Sequence, residues 1–342
     1  MTEKNILIHV KSDEALNNYM TIYKNGKYDD NIQYSKEIKA MLTEFLNNGW
    51  NCFLTTRENF DMENEIFHKV YCIKEDKLYD MSIKEVNEKI PVMIIRNIGP
   101  LELNFNKIKR YLEYICENYK GKVLNNPKAM LKGMAKNYLV EISEEELRKI
   151  NVITIPTKSY PTTVTYSEII KDYPEDREKY LIKPISGELS NSLQGLGNID
   201  ENFLRRKENK VQGWLIQPIQ EAIWNGEYQL VFLNGKVIYG QQKSYIKNGK
   251  VPSQKGRELK KYNPSIQEIE TMQKLIKYFE NFYDIKVDIC RIDFMKNEEG
   301  LPILLEFEMV NPGFFIAYMD ENDSDVKNIV KSIREYCEKA IN

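Results

Sequence analysis

The residues best able to do chemistry lie near the C-terminus. They sit in Cys290-Arg291-Ile292-Asp293-Phe294 and in Leu304-Leu305-Glu306-Phe307-Glu308-Met309-Val310-Asn311-Pro312-Gly313. Both runs alternate polar and apolar side chains, the period of a half-buried strand. Arg291 and Asp293 then share one face, and Glu306 and Glu308 share a face of the next strand. Between them, Met295 to Pro302 carries Asn297 and Gly300 and reads as a strand-to-strand connection. If the strands pair, three carboxylates converge beside one guanidinium. Clustered carboxylates repel one another unless cations neutralise them. An all-oxygen cluster suits a hard divalent ion such as Mg²⁺, held by a few carboxylates together with phosphate oxygens. The same pattern also fits a solvent-facing hairpin edge, and Arg291 could merely pair with Glu306.

The chain is long enough to surround such a hairpin with its own supports. Its 342 residues suffice for two or three domains with an ample core. Hydrophobic residues make up 42% and charged residues 29%, an ordinary balance for a globular protein. A net charge of -2 gives no sign of a nucleic-acid or membrane partner. Cys52, Cys72, Cys116, Cys290 and Cys337 are scattered and odd in number, which fits reduced thiols in a cytoplasmic setting and argues against a structural zinc. Only His9 and His68 are present, so chemistry built on a histidine base or a histidine-rich metal site is disfavoured. No N-terminal signal and no bilayer-length apolar run is visible.

In chain order, Asn5 to Val10 reads as a buried strand, Lys11 to Asn31 as an irregular loop, Ser35 to Asn48 as a helix and Trp50 to Thr55 as a second strand. Strand, helix, strand is the start of a parallel α/β layer. Short strands are expected around Lys69 to Ile73 and Lys77 to Tyr79, inside a less regular section. Pro91 to Ile95 is a buried strand whose C-terminal end carries Arg96, Asn97 and Gly99, the end where α/β sheets bind ligands. A helix over Asn106 to Glu117 and a strand over Lys122 to Leu124 close a first domain, residues 1–124. Residues 125–342 form a second. There, Asn125-Asn126-Pro127 opens a helix, Lys136 follows, and Ser143-x-x-Glu146 opens another helix with a capping box. Ile153 to Pro156 and Tyr180 to Lys183 read as strands.

Lys183 is followed by Pro184-Ile185-Ser186-Gly187-Glu188-Leu189-Ser190-Asn191-Ser192, a loop whose amides and hydroxyls could wrap phosphate or form a plain turn. The Walker pattern is absent. Gly213 to Gln217 is a strand bent by Pro218. Glu227 to Leu233 and Lys236 to Lys243 flank Asn234-Gly235, a strong hairpin signal. Tyr245 to Tyr262 is basic and loop-like, either solvated or able to close over anionic groups. Ile266 to Tyr283 and Val326 to Ala340 are amphipathic helices.

Taken in order, these motifs resemble the ATP-grasp superfamily, in particular its glutathione-synthetase-like branch. The resemblance runs from Pro91 to Asn311, and more loosely over residues 1–90. It implies an N-terminal parallel α/β domain (1–124) followed by a two-subdomain ATP-grasp fold with an antiparallel sheet (125–342), its lid subdomain at about 155–218. It also implies roles for individual residues. Lys136 and Lys183 resemble the two phosphate-contacting lysines, with Ser186, Gly187, Ser190 and Asn191 in the loop over the phosphates. Gln217, Pro218 and Ile219 resemble the adenine hinge, and Glu227 the acid that holds the ribose. Asp293, Glu306 and Glu308 look like the ligands of two Mg²⁺ ions, with Mn²⁺ a possible substitute. Arg291 and Asn311 take the catalytic positions. Glu308 stands where many relatives carry asparagine, and the arginine- and glycine-rich closing segment of bacterial glutathione synthetase is not recognisable at Pro252 to Arg257.

The activity implied is the joining of a carboxylate, from an amino acid or small peptide, to an amine. ATP is consumed through an acylphosphate, and ADP and phosphate are released. Phosphoryl transfer of this kind needs positioning and charge neutralisation more than a nucleophilic side chain. Arg96 is a candidate carboxylate anchor because guanidinium pairs bidentately with carboxylate. Lys243, Lys255 and Arg257 are further substrate-side candidates, and His9 to Ser12 could line the same pocket. Two alternatives stay open: an intramolecular cyclo-ligase and an ATP-binding protein without turnover. Partners are expected to be small molecules and further copies of the chain, as a dimer or tetramer.

Overall fold

A computed structural model describes residues 4–25, 35–96, 98–187, 193–205, 212–245, 258–320 and 323–341. Three sheets divide the chain. The first gathers β1 (Asn5–His9), β2 (Asn51–Thr55), β3 (Phe60–Asp61), β4 (Ile66–Cys72), β5 (Lys77–Ser82), β6 (Val92–Ile94) and β7 (Lys122–Leu124). Its helices are α1 (Asp13–Asn25), α2 (Ser35–Asn47), α3 (Ile83–Lys89) and α4 (Leu101–Asn118). β2, β1, β6 and β7 run parallel, and β3, β4 and β5 add an antiparallel edge. The parallel strands are apolar on both faces because helices cover both, α2 on one and α4 on the other.

Next come α5 (Pro127–Gly133), α6 (Tyr138–Glu141) and α7 (Glu144–Lys149). A small antiparallel sheet follows, built from β8 (Lys158–Tyr160), β9 (Tyr180–Pro184), β10 (Gln194–Gly195) and β11 (Trp214–Pro218), with α8 (Tyr166–Asp172) and α9 (Glu201–Arg205) packed on it. The last sheet has the order β14-β13-β12-β15-β16. Its strands are β12 (Glu227–Leu233), β13 (Lys236–Ser244), β14 (Glu258–Lys261), β15 (Ile289–Lys296) and β16 (Pro302–Glu308), and α10 (Ile266–Tyr283) lies against it. The chain closes with α11 (Ser324–Ile341), which returns to the first sheet: Val326, Ile329, Val330 and Ile333 join the core of Ile6, Ile8 and Leu54.

This is the expected parallel α/β layer followed by antiparallel sheets, with three local corrections. Lys11 to Asn31, expected to be irregular, contains α1: Ala15, Leu16 and Tyr19 are buried at helical spacing, and Asp13 and Glu14 sit in the first turn, where the helix dipole favours acids. Ile153 to Pro156 is no strand but a single bridge from Ile153 to Ile303, since Pro156 has no N–H to extend a ladder. The stretch Tyr245 to Tyr262, expected to be a loop, supplies β14, while residues 246–257 lie outside the described set. The missed α3 had a readable signal, the capping box of Ser82 and Glu85. Among the described residues, no helix is long and apolar enough to cross a membrane.

Two turns depend on backbone conformations that few side chains adopt. Asn234 and Gly235 have φ of 46° and 72°, the left-handed pair that closes a two-residue hairpin between β12 and β13. Gly213 has φ 109°, and a Cβ there would lie 2.2 Å from the Tyr160 carbonyl oxygen on β8.

Candidate active site

β15 and β16 pair antiparallel with Arg291 opposite Glu308 and Asp293 opposite Glu306. The opposite face of β15 (Cys290, Ile292, Phe294) is buried beneath α10, so Arg291 and Asp293 are turned the other way. Register extends the polar row: Gln241 on β13 faces Gln229 on β12, and Gln229 faces Asp293. One row of side chains thus runs Gln241, Gln229, Asp293, Glu306 across four strands. Glu227 and Lys243 sit opposite one another next to it.

This face forms the floor of a cleft of about 260 Å³. The cleft collects Lys136, Lys183, Gly187, Gln217, Pro218, Ile219, Glu227, Lys243, Arg291, Asp293, Glu306, Glu308 and Asn311, all named from sequence. Ser186 is buried beside Gly187 but does not line it. Ser190, Asn191, Lys255 and Arg257 lie outside the described residues. Ile155, Leu181, Ile223, Met295 and Leu305 form an apolar wall next to the bend at Pro218. His9 is not in the cleft; it is buried against the Tyr111 hydroxyl at 3.1 Å, and burial, with Arg57 nearby, lowers its pKa to about 3.

The ionic arrangement is specific. Arg291 donates to both oxygens of Asp293, from Nε at 2.7 Å and Nη2 at 2.8 Å, rather than to Glu306. Lys136 pairs with Glu306 at 3.1 Å and donates to the Gly187 carbonyl at 2.7 Å. Oε1 of Glu308 accepts the N–H groups of Val310 and Asn311, at 2.7 and 3.0 Å. Gln229 donates through one amide nitrogen to Asp293 Oδ2 at 2.8 Å and to Glu227 Oε1 at 2.7 Å, and accepts from Gln241 at 2.9 Å. Glu227 also accepts from Lys243 at 2.9 Å and from the Tyr245 hydroxyl. At the bend, Gln217 donates to Thr157 at 2.7 Å, and the Ile219 N–H is taken by the Lys179 carbonyl at 2.8 Å.

Electrostatics follow from burial. Asp293 is pushed up to about 6 by burial despite the pull of Arg291. Burial acts the same way on Glu306, but Lys136, Arg291 and Lys183 overcome it and hold that carboxyl below its usual range. Lys183 is brought down to about 8 by burial and then by the neighbouring Lys136. Lys183 makes no hydrogen bond or ion pair with any described residue.

No three His, Cys, Asp or Glu side chains among the described residues converge as a preformed metal cluster. Each acid of the trio instead has its own cationic or amide partner. The donor set still fits a hard cation: three carboxylates on adjacent paired strands, Asp293 directly across from Glu306, all facing the cleft.

Arg96, one of the proposed substrate anchors, sits behind the cleft wall. It is 2% exposed, and its Nε and Nη2 both donate to Glu37 Oε1, at 2.9 and 2.6 Å. Among the cleft-lining residues that sequence reading missed are Glu37, Gln229, Gln241 and Tyr245. Gln229 was within reach, two residues after Glu227 on the same strand face; nothing local marks Glu37.

The chain is similar in fold to several solved ligases. The D-cycloserine synthetase DcsG superposes with a TM-score of 0.65 at 14% identity, over 97% of this chain and 99% of that one. The macrocyclase MdnC from Microcystis aeruginosa MRC, bound with precursor peptide MdnA, gives 0.59 at 11% over 97% and 99%. The VanG D-Ala:D-Ser ligase from Enterococcus faecalis gives 0.58 at 10% over 98% and 99%. No family model and no curated protein matches. Other structures of this fold are named as ATP-grasp ligases, and the fold of this chain is the ATP-grasp fold.

Proposed function

We propose that the protein is an ATP-dependent ligase that joins a carboxylate to an amine and releases ADP and phosphate. The observation that carries this reading is Lys183, an ammonium half-buried in the cleft with no hydrogen-bond or ion-pair partner among the described residues, beside Lys136 and in the field of Glu306 and Glu227. A partly buried cation that touches no counter-charge gains when a ligand brings one into direct contact. A nucleotide's phosphates supply it, and the apolar wall at Ile155, Leu181, Ile223, Met295 and Leu305 offers its base a dry surface.

In this reading Lys136 and Lys183 neutralise the phosphates, with Gly187 over them. Gln217, Pro218 and Ile219 border the base, and Glu227 takes the ribose. Asp293, Glu306 and Glu308 would hold Mg²⁺, which supplies charge neutralisation and orientation to the phosphate chain. A substrate carboxylate oxygen attacks the γ-phosphorus, and the bond to ADP breaks. The amine nitrogen then attacks the acyl carbon, phosphate leaves, and the amine proton passes to solvent. Arg291 faces the developing negative charge, and Asn311, whose Oδ1 accepts from the Ile98 N–H at 3.3 Å, holds the loop beside it. Neutral Asp293 would bind a cation poorly, so its raised pKa makes cation binding and protonation of that carboxyl compete.

The test is ADP release with Mg²⁺ across pairs of amino acids and short peptides, with each compound also supplied alone. Release that needs two compounds indicates intermolecular joining; release with a single one indicates closure within a molecule. Asp293→Asn and Glu306→Gln should each abolish turnover. Unchanged ATP-dependent coupling in both variants would refute the metal assignment. ATP binding without turnover over the whole panel would favour a non-catalytic binder.

A further inference from the structure

Glu37 is a carboxylate that the ligase reading leaves without a task. It sits near the start of α2, on the first sheet's side of the cleft, and is 3% exposed. Arg96, at the end of β6, spends two donors on one oxygen, Oε1. Oε2 accepts no hydrogen bond from a described residue, yet it is not among the sealed unpartnered atoms. Glu37 lines the cleft, and Oε2 is the oxygen that Arg96 leaves without a donor. A tie that only joined α2 to β6 would need no place in the cleft lining.

The Arg96 guanidinium carbon lies 4.1 Å from the Phe314 ring centroid, and that of Arg291 lies 5.6 Å from the ring of the next residue, Phe315. Arg96, which holds Glu37, and Arg291 thus lie over consecutive residues of one loop, and Gly313 and Phe315 line the cleft with Glu37 and Arg291. The charges balance. Glu37, Glu227, Asp293, Glu306 and Glu308 are offset by Lys136, Lys183, Lys243 and Arg291 in the cleft and by Arg96 behind it. At the Glu37 end the Arg96 guanidinium is already paired with Glu37 and does not line the cleft. A zwitterion leaves the balance unchanged, with its carboxylate toward Arg291 and its ammonium on Oε2.

We propose that Glu37, oriented by Arg96, anchors the ammonium group of the acyl donor, so that the carboxylate substrate is an amino acid or a short peptide with a free amino group. The proposal rests on the ligase reading, and the experiment separates the two. The full chain is supplied with ATP, Mg²⁺ and excess hydroxylamine, so that only the acyl donor must be recognised. The donor carboxylate displaces ADP from the γ-phosphorus; hydroxylamine nitrogen then attacks the acyl carbon, phosphate leaves, and a proton passes to solvent. The hydroxamate is measured by its iron(III) colour.

Amino acids and dipeptides are run beside their N-acetyl derivatives. Free donors should react about tenfold faster or more than acetylated ones. Glu37→Gln should raise the donor KM roughly ten- to hundredfold, the usual weight of a hydrogen bond to a charged group, with a smaller effect on kcat and partial rescue in Glu37→Asp. Equal use of free and acetylated donors, or an unchanged donor KM in Glu37→Gln, overturns the anchor and leaves the ligase reading standing. No hydroxamate from any donor, while ATP still raises Tm, removes the ligase reading and the anchor with it. If Glu37→Gln does not fold, the free-versus-acetylated comparison on the unaltered chain decides.

Discussion

Gln229 is 3% exposed and gives one amide nitrogen to two buried carboxylates, Asp293 and Glu227. Replacing it with leucine removes both bonds and leaves the Gln241 amide without its acceptor. A hydrogen bond to a charged group contributes about 1.5–3 kcal/mol. Asp293 keeps Arg291, and Glu227 keeps Lys243 and Tyr245, so the lower end applies and the pair together contributes about 3 kcal/mol. Unfolding entropy of about 2.1 cal/mol/K per residue over 342 residues gives about 0.7 kcal/mol/K, so Gln229→Leu should lower Tm by about 4 °C. Gln229→Glu has the same shape but titrates. Ionised, it places like charges next to Asp293 and Glu227, each pair costing about 4 kcal/mol at 4 Å and an effective dielectric of 20. Its carboxyl is therefore raised above the unfolded value of about 4.3. The associated stability is complete below that value and is lost as pH rises through the folded pKa. Scanning calorimetry should find Gln229→Glu close to the unaltered chain at pH 5 and well below it at pH 8. A Gln229→Leu Tm within about 1 °C of the unaltered chain, or a Gln229→Glu deficit independent of pH, would refute this account of the network.

His9, lowered to about 3 from an unfolded value of about 6.5, gives stability that is present above pH 6.5 and lost as pH falls below it. Between pH 8 and pH 5 that loss is about 2 kcal/mol, and it should vanish from the pH dependence of urea unfolding in His9→Asn when the two chains are compared. Lys183, brought down to about 8, should regain its proton when phosphates bind, so ATP binding at pH 8 should take up about half a proton, read by calorimetry in buffers of different ionisation enthalpy, and Lys183→Met should take up none. Gly213→Ala forces a φ of 109° on a residue with a Cβ and pushes that carbon into the Tyr160 carbonyl, so the β8–β11 pairing should weaken by about 1–3 kcal/mol, measured by hydrogen exchange of Tyr160 and Trp214 amides.

Much of the fold was readable because periodicity and turn chemistry agree locally. The alternation at Arg291–Asp293 and Glu306–Glu308 gave the hairpin, and the structure adds its register, Asp293 against Glu306. Asn234-Gly235 gave the β12–β13 turn, and helix α10 occupies the expected span. The failures share a cause. Lys11 to Asn31 looks irregular because its polar residues outnumber the three that pack, and only the tertiary core shows that Ala15, Leu16 and Tyr19 suffice. Glu258–Lys261 forms a strand only because β13 presents an edge to it.

The site divides in the same way. Residues whose place in the cleft follows from strand register or from the loop just after a strand were legible. Arg96 and Glu37 were not, because their meaning is a relation across 59 positions of chain. A guanidinium at the end of a parallel strand reads as an anion anchor from sequence, since nothing nearby in the chain opposes it. In the fold it meets an acid from α2 and becomes a positioning group. The free oxygen it leaves on Glu37 invites a cation rather than an anion. The sign of the charge sought at that end of the cleft therefore reverses, from a carboxylate on Arg96 to an ammonium on Glu37. The donor series distinguishes these two polarities directly, because acetylation removes the ammonium and leaves the carboxylate intact.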